Sequence, residues 1–138
     1  MQLHTYLNYG GNCEEAFKFY ERCFGGKIEF IQTFGESPMK DSVGPDQYGL
    51  VMHVTLKVEG DTLMGSDAPP DRYEAPQGMY VSIAPKSYAD AERIFKELSA
   101  GGQVEMPFQK TFWSPGFGMT VDRFGIPWMV NCDVAAVG

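Results

Sequence analysis

The chain has 138 residues, of which 43% are hydrophobic and 14% aromatic, so it can bury one core and is too apolar for a disordered polypeptide. Its net charge of -7 argues against binding to a phosphate backbone, which needs clustered Lys and Arg. No stretch reaches the roughly 18 apolar residues of a membrane span and no secretory signal pattern is present, so we expect a cytoplasmic protein without nucleic-acid or membrane partners.

The three cysteines fit this expectation. Cys13, Cys23 and Cys132 are odd in number and lack the close pairing of a zinc or redox motif. We therefore expect reduced, packed thiols.

The first predicted element is a strand, "LHTYLNY" at residues 3–9. Residues two apart share one face of a strand, so His4, Tyr6 and Asn8 form a polar face and the alternate positions a mostly apolar one. A helix follows, because Asn12 and Glu15 have the spacing of a capping box and Gly25 follows the last periodic residue. Its apolar stripe comprises Cys13, Ala16, Phe17, Tyr20, Cys23 and Phe24.

Further strands follow the helix. The run "KIEFIQTF" is β-like, residues 35–49 show no periodicity and form a long loop, and "LVMHVTLKV" is the next strand. There His53, Thr55 and Lys57 share the face opposite the apolar residues. If the apolar face packs beneath the helix, His53 points to the other side, where an imidazole can donate or accept a proton near neutral pH. The alternative is a hydrogen-bonded residue of the wall.

The second half of the chain repeats this pattern. In "SYADAERIFKELSAGGQVE", Ser87 and Asp90 provide the cap, an apolar stripe follows, and Gly101 ends the helix. A βαβββ unit is thus used twice, at about residues 1–70 and 76–138, in one α+β domain whose open sheet faces curl around a cavity. An unrelated α+β domain with two similar helices is the alternative.

Four stretches carry a family resemblance: "YLNYGGNCEEAFKFY", "LMGSDAPP", "FQKTFWSPGFG" and "DRFGIPWMVNC". With the paired units, they resemble the PhnB-like branch of the glyoxalase/bleomycin-resistance, or vicinal-oxygen-chelate, superfamily over nearly the whole chain. The resemblance implies a single domain of this type, residues 1–138, with a half-barrel sheet around a cavity, and a homodimer. Lys110 is a departure, because relatives usually have an acid before "TFW".

Some members of the branch are named as ubiquinone-precursor methyltransferases. The usual methyl-donor site needs a glycine-rich loop between a parallel strand and a helix in an alternating β/α chain, and the sequence contains neither. We therefore do not expect that activity.

The resemblance also implies four metal-ligand positions, which fall on or near His4, Met64, Met79 and Met129. A neutral, soft thioether cannot replace the carboxylates that hold hard or borderline divalent ions, so we expect no metal and no cofactor. Copper(I) on this set of four is an alternative, although methionines more often fill apolar space.

The resulting hypothesis is a small-molecule-binding protein or a metal-independent enzyme of this superfamily. The alternatives are a binding module that sequesters its ligand unchanged, as bleomycin-resistance relatives do, and a divalent-metal lyase or dioxygenase with other ligands. Phe112 and Trp113 can be either a lid or core residues. The candidate catalytic residues are His53 and His4, and the candidate ligand-binding residues are Tyr6, Asn8, Met64, Met79, Gln109, Trp113, Met129 and Asn131.

Overall fold

The structure is a computed structural model, and it describes residues 1–136. The chain forms two compact units, Met1–Glu74 and a second unit that begins at Ala75. Each unit contains one long helix and one four-stranded mixed sheet.

The first unit has the order strand, helix, strand, strand, strand. Its sheet order is β1-β4-β3-β2, with β1 parallel to β4 and the other neighbours antiparallel. Three short 3-10 helices, Phe34–Glu36, Lys40–Ser42 and Pro45–Gln47, occupy the long segment between β2 and β3. The five main elements are β1 (Thr5–Tyr9), α1 (Cys13–Phe24), β2 (Lys27–Thr33), β3 (Val51–Val58) and β4 (Asp61–Asp67).

The second unit repeats this arrangement. Its sheet order is β5-β8-β7-β6, and β5 is parallel to β8 while the other neighbours are antiparallel. The elements are β5 (Val81–Ile83), α2 (Tyr88–Ser99), β6 (Gln103–Gln109), β7 (Gly116–Val121) and β8 (Pro127–Cys132). The predicted α+β class and the two βαβββ units are confirmed.

In each unit the core lies between the helix and one face of the sheet. The α1 stripe is buried from Cys13 to Cys23, and Leu7, Val54 and Leu56 are buried on the sheet. Packing is close, since a Cβ added to Gly65 would lie 2.6 Å from the ring of Phe17. The alternation predicted for β1 and β3 therefore holds, and their polar positions face away from the helix.

The second helix is capped as predicted. The Ser87 hydroxyl accepts a hydrogen bond from the Asp90 amide at 3.1 Å. The apolar residues of its stripe are buried, and a Cβ added to Gly118 would lie 2.7 Å from Phe95. The sheet of this unit thus also has one covered face and one open face.

The start of α1 differs from the prediction. Asn12 occupies the N-cap position but its side chain makes no capping hydrogen bond, so the predicted capping box is wrong. Asp67, at the end of β4, takes this role: its Oδ1 accepts from the amides of Gly11 at 2.9 Å and Cys13 at 3.1 Å. Its Oδ2 accepts from the Val51 amide at 2.9 Å, so one buried carboxylate joins α1, β3 and β4.

A second buried aspartate organises the turn before β8. Asp122 Oδ1 accepts from the amides of Phe124 at 2.9 Å and Ile126 at 3.0 Å. Asp122 Oδ2 accepts from the indole N–H of Trp128 at 2.9 Å, and Gly125 provides the positive φ of 91° within the turn. The "DRFGIPW" stretch is therefore a structural anchor that fixes where β8 begins.

The three thiols are buried and none of them is in a disulfide, as predicted. Burial, with the nearby charges of Asp67 and Glu14, raises the pKa of the Cys13 thiol strongly, so it stays protonated and unreactive. Within residues 1–136, no helix is long and apolar enough to cross a membrane.

We expect Asp122→Asn to destabilise the protein by about 2–4 kcal/mol. The NH2 group of the new side chain is a donor, and it would point at another donor: either the backbone N–H groups of Phe124 and Ile126 or the indole N–H of Trp128. Asp71→Asn is the matched control, since Asp71 is exposed. Urea unfolding followed by circular dichroism measures both. A loss below about 0.5 kcal/mol in Asp122→Asn would contradict the anchoring role.

Candidate functional site

The open face of the first sheet holds a row of four residues from its four strands. The register pairs Tyr6 with Met64, Met64 with Thr55, and Thr55 with Phe30. Tyr6 is 45% exposed and Phe30 48% exposed, and both lie opposite the face that α1 covers. This row mixes an aromatic and thioether surface with hydroxyl groups.

A hydrogen-bonded chain crosses this row. The Tyr6 hydroxyl lies 3.3 Å from His53 Nδ1, and His53 Nε2 lies 2.9 Å from Thr55 Oγ1. The Phe30 ring lies 6.1 Å from the imidazole, centroid to centroid. Both partners are hydroxyls, which can donate or accept, so either neutral tautomer of His53 is satisfied. The imidazole is fixed in place, and the exposed Tyr6 hydroxyl is the end of the chain that a ligand can meet.

Polar pairs lie on both sides of the row. Ser66 donates to the Asn8 side chain at 3.1 Å, and the Lys57 ammonium donates to the Thr62 hydroxyl at 2.6 Å. The first pair gives the face an amide next to the histidine chain. The second holds a positive charge at the other end of the sheet.

The structure does not bring His4 together with His53. His4 precedes β1, is exposed, and continues the register beside Thr62, which pairs with Lys57. His4 and His53 are thus separated by four residue positions along the strands and by two strand spacings across the sheet. At usual strand dimensions this is a distance of roughly 16 Å between their Cα atoms. Two imidazoles at that separation cannot ligate one ion.

The open face of the second sheet carries three methionines side by side. Met129 on β8 pairs with Met119 on β7, which pairs with Met106 on β6. The neighbouring row joins Asn131, Phe117 and Gln109. Asn131 donates from its amide to the Asp133 carboxylate at 3.0 Å. Met129, Asn131 and Gln109 therefore lie on one face of the second sheet.

Phe112 and Trp113 lie at the tip of a hydrogen-bonded turn between β6 and β7. The Thr111 amide donates to the Ser114 carbonyl at 2.9 Å, and the Ser114 amide donates to Thr111 Oγ1 at 3.1 Å. Phe112 is 97% exposed and Trp113 52% exposed, which contradicts the alternative that they are core residues. The Trp113 ring meets Phe117 edge to face at 5.4 Å, so it adjoins the open face of the second sheet.

Met79 lies apart from Met129. It is 51% exposed and precedes β5, whereas Ser82, three residues later, is the partner of Met129. The adjacent Tyr80 hydroxyl donates to the Glu105 carboxylate at 2.9 Å, and this bond raises the pKa of Tyr80. Met79 and Met129 are thus separate positions on the second unit.

Sequence reasoning missed several residues of both faces. Phe30 and the contact between Tyr6 and His53 depend on the pairing of strands that are far apart in the chain. Met106 was missed because a register shift between Val104 and Met106 changes the strand alternation in β6. A period-two pattern in "GFGMTV" was the one available signal for Phe117 and Met119.

In the described part of the chain, no three His, Cys, Asp or Glu side chains come together in a group that could hold a metal ion. The buried aspartates use their oxygens on backbone and indole N–H groups, as shown for Asp67 and Asp122. The available donors on the open faces are imidazole, hydroxyl, amide and thioether. Of these donors imidazole is a usual ligand for a borderline divalent ion, and the single imidazole of His53 is too few to form such a site.

Solved structures with the same architecture define the class of protein. FosX, a fosfomycin resistance protein from Listeria monocytogenes, superposes with a TM-score of 0.67 at 8% identity, covering 97% of this chain and 94% of the other. A glyoxalase-related enzyme from Fulvimarina pelagi superposes with a TM-score of 0.63 at 16% identity, covering 96% and 88%. At these identities the likeness concerns the fold, which is that of the glyoxalase/bleomycin-resistance superfamily.

More similar proteins define the family. The sequence model described as 3-demethylubiquinone-9 3-methyltransferase matches residues 1–131. Protein YjdN of Escherichia coli (strain K12) is 34% identical over 139 aligned positions, covering 95% of each chain. The structure of protein PA1353 from Pseudomonas aeruginosa superposes with a TM-score of 0.88 at 43% identity, covering 96% of this chain and 98% of the other. The structure of PhnB protein from Bacillus cereus superposes with a TM-score of 0.81 at 25% identity, covering 96% of this chain and 99% of the other.

The chain therefore belongs to the PhnB-like, 3-demethylubiquinone-9 3-methyltransferase family of that superfamily. The family description does not by itself establish methyl transfer here. Both sheets are mixed, each with a single parallel strand pair, and neither is the parallel sheet on which the usual methyl-donor site is built.

We expect the purified protein to retain no stoichiometric zinc, nickel or iron after extensive dialysis, because its open faces offer too few suitable ligands. Elemental analysis measures this, with His4→Ala as the comparison. The prediction would be contradicted if the parent protein retained one equivalent of metal and His4→Ala did not. Such a result would identify His4 as a metal ligand.

Proposed function

We propose that the protein binds a small organic molecule with an apolar, ring-containing body and a carbonyl or hydroxyl oxygen, without a protein-held divalent metal. The observation that carries this proposal is the Tyr6–His53–Thr55 chain on the open face of the first sheet. Fixed polar groups beside aromatic and thioether side chains, here Phe30 and Met64, are a combination typical of small-molecule sites.

The residues of this face suggest which of them would contact the ligand oxygen and which the apolar body of the ligand. The Tyr6 hydroxyl, backed by His53, offers a hydrogen bond to a ligand oxygen, and Phe30 and Met64 offer contact to a ring or alkyl portion. Asn8 adds an amide group beside the chain. The net charge of -7 opposes binding of a phosphorylated or polyanionic ligand, and the Lys57 ammonium, bonded to Thr62, lies outside the row that contains Tyr6.

Binding without conversion is the form that the geometry favours. Both ring nitrogens of His53 are occupied by protein hydroxyls, so the imidazole cannot act as a direct base on a bound molecule in this arrangement. A metal-independent enzyme would have to pass the proton through the Tyr6 hydroxyl. Both forms use the same residues and differ in whether the ligand is recovered unchanged.

We expect a screen by thermal shift to find stabilising ligands among neutral ring-containing carbonyl or hydroxyl compounds. Tyr6→Phe should weaken binding of a hit about tenfold, because it removes one hydrogen bond to the ligand. Tyr48→Phe is the matched control, since it removes a phenol hydroxyl from the same unit at a residue outside the four strands. Isothermal titration calorimetry measures both variants.

Two results would refute this assignment: stabilisation by polyanionic compounds alone, or equal affinity in Tyr6→Phe and the parent. Mass spectrometry of the recovered hit then separates the two forms. An unchanged ligand supports sequestration. Conversion that is abolished in both Tyr6→Phe and His53→Gln supports proton transfer along the hydroxyl–imidazole chain.

The proposal extends to a cytoplasmic homodimer. Three buried cysteines outside any disulfide suit a reducing compartment. Phe112 and Trp113 place large apolar rings on an exposed, hydrogen-bonded turn, and such apolar surface is typical of association sites. The superfamily resemblance supports association through a closed two-fold arrangement.

Sedimentation at micromolar concentration should therefore give about twice the 15.4 kDa mass of the chain. Phe112→Ser should shift the protein toward monomer, because it removes apolar surface from the turn without disturbing the buried core. Met39→Ser, at another exposed apolar position, is the control. A monomeric parent would refute the dimer.

A further inference from the structure

We propose that Met106, Met119 and Met129 form a binding site for a soft monovalent metal ion, of the class of copper(I) or silver(I). The three residues lie on three adjacent strands and are direct cross-strand partners, with Met119 in the centre. This site lies within the second unit and does not depend on ligand binding at the first sheet.

All three side chains belong to the same open face. In β7, Gly116, Gly118 and Thr120 are buried, and added Cβ atoms on the two glycines would collide with Phe108 and Phe95. Met119 alternates with these residues and is only partly buried, so it faces away from α2. Its register partners Met106 and Met129 are also partly buried and share that face.

The spacing permits three sulfurs to meet one ion. Direct cross-strand partners have Cβ atoms about 4.5–5.5 Å apart, so the outer two methionines are roughly 10 Å apart with Met119 between them. A methionine sulfur lies three bonds beyond Cα and turns about several single bonds, which allows the outer sulfurs to lean toward the central one. A trigonal thioether site is therefore within reach of these three side chains.

The chemistry of the surrounding residues selects a soft ion. Thioethers are neutral, soft ligands that favour copper(I) over zinc, calcium or magnesium. Thiols, which would compete for the same ion, are buried at Cys13, Cys23 and Cys132. No cluster of three His, Cys, Asp or Glu in residues 1–136 offers an alternative site, and the net charge of -7 attracts cations.

This site differs from the set of His4, Met64, Met79 and Met129 inferred from the sequence. Met129 alone is common to both. His4 and Met64 belong to the first unit, and Met79 lies outside β5, away from the partner of Met129. The sheet register makes Met119 the direct neighbour of Met129, and Met106 the direct neighbour of Met119.

The test is titration of the full-length protein with silver(I), followed by NMR of methionine methyl groups labelled with carbon-13. We expect saturation at one equivalent, with three of the eight methionine signals shifting. Copper(I), supplied under reducing conditions against a chromogenic chelator, should also bind at one equivalent. X-ray absorption of that complex should show sulfur as the nearest scatterer.

Met119→Leu removes the central sulfur at nearly constant volume and should abolish binding at one equivalent. Met106→Leu, on the edge strand β6, is a second variant and should have the same effect if Met119→Leu does not fold. Met39→Leu removes an exposed thioether elsewhere and should bind as the parent does. Unchanged binding in a folded Met119→Leu or Met106→Leu variant, absence of binding in the parent, or nitrogen and oxygen as the nearest scatterers would overturn the proposal.

Discussion

The first unit depends on the carboxylate of Asp67. It accepts three backbone hydrogen bonds, from the residues that flank the N-cap of α1 and from the first residue of β3. A buried carboxylate is unfavourable unless its oxygens are satisfied, so removal of any of these donors would leave a costly charge in the core. This carboxylate fixes the start of α1 against the sheet, and α1 then covers one sheet face and leaves the other available to Tyr6 and His53.

The open faces differ chemically although the two units repeat one topology. On the first sheet, hydroxyls, an imidazole and an amide form hydrogen bonds along the surface. On the second, three thioethers and Phe117 occupy corresponding strand faces, and Trp113 adjoins them. The same backbone therefore presents one directional, polar surface and one soft, apolar surface, because strand alternation fixes which positions are exposed but not their chemistry.

Sequence patterns predicted what local periodicity controls: the repeated unit, the buried stripe of α1, the Ser87 cap, and the outward direction of His53. They failed where the partner is distant in the chain. Asn12 has the spacing of a cap, yet Asp67, 55 residues later, binds the amides instead. Met106 was missed for a related reason, since the register shift in β6 is not visible in residue types.

The hydroxyl partners of His53 also bear on how a ligand would be held. A histidine with one free ring nitrogen can abstract a proton from a substrate or bind a metal. A histidine whose two ring nitrogens are both hydrogen-bonded instead orients its neighbours. In this chain the imidazole orients the phenol of Tyr6, whose ring lies 5.7 Å away and whose hydroxyl is the more accessible group. Under the proposed function, an imidazole held on both sides by hydroxyls orients the phenol for recognition of a ligand oxygen.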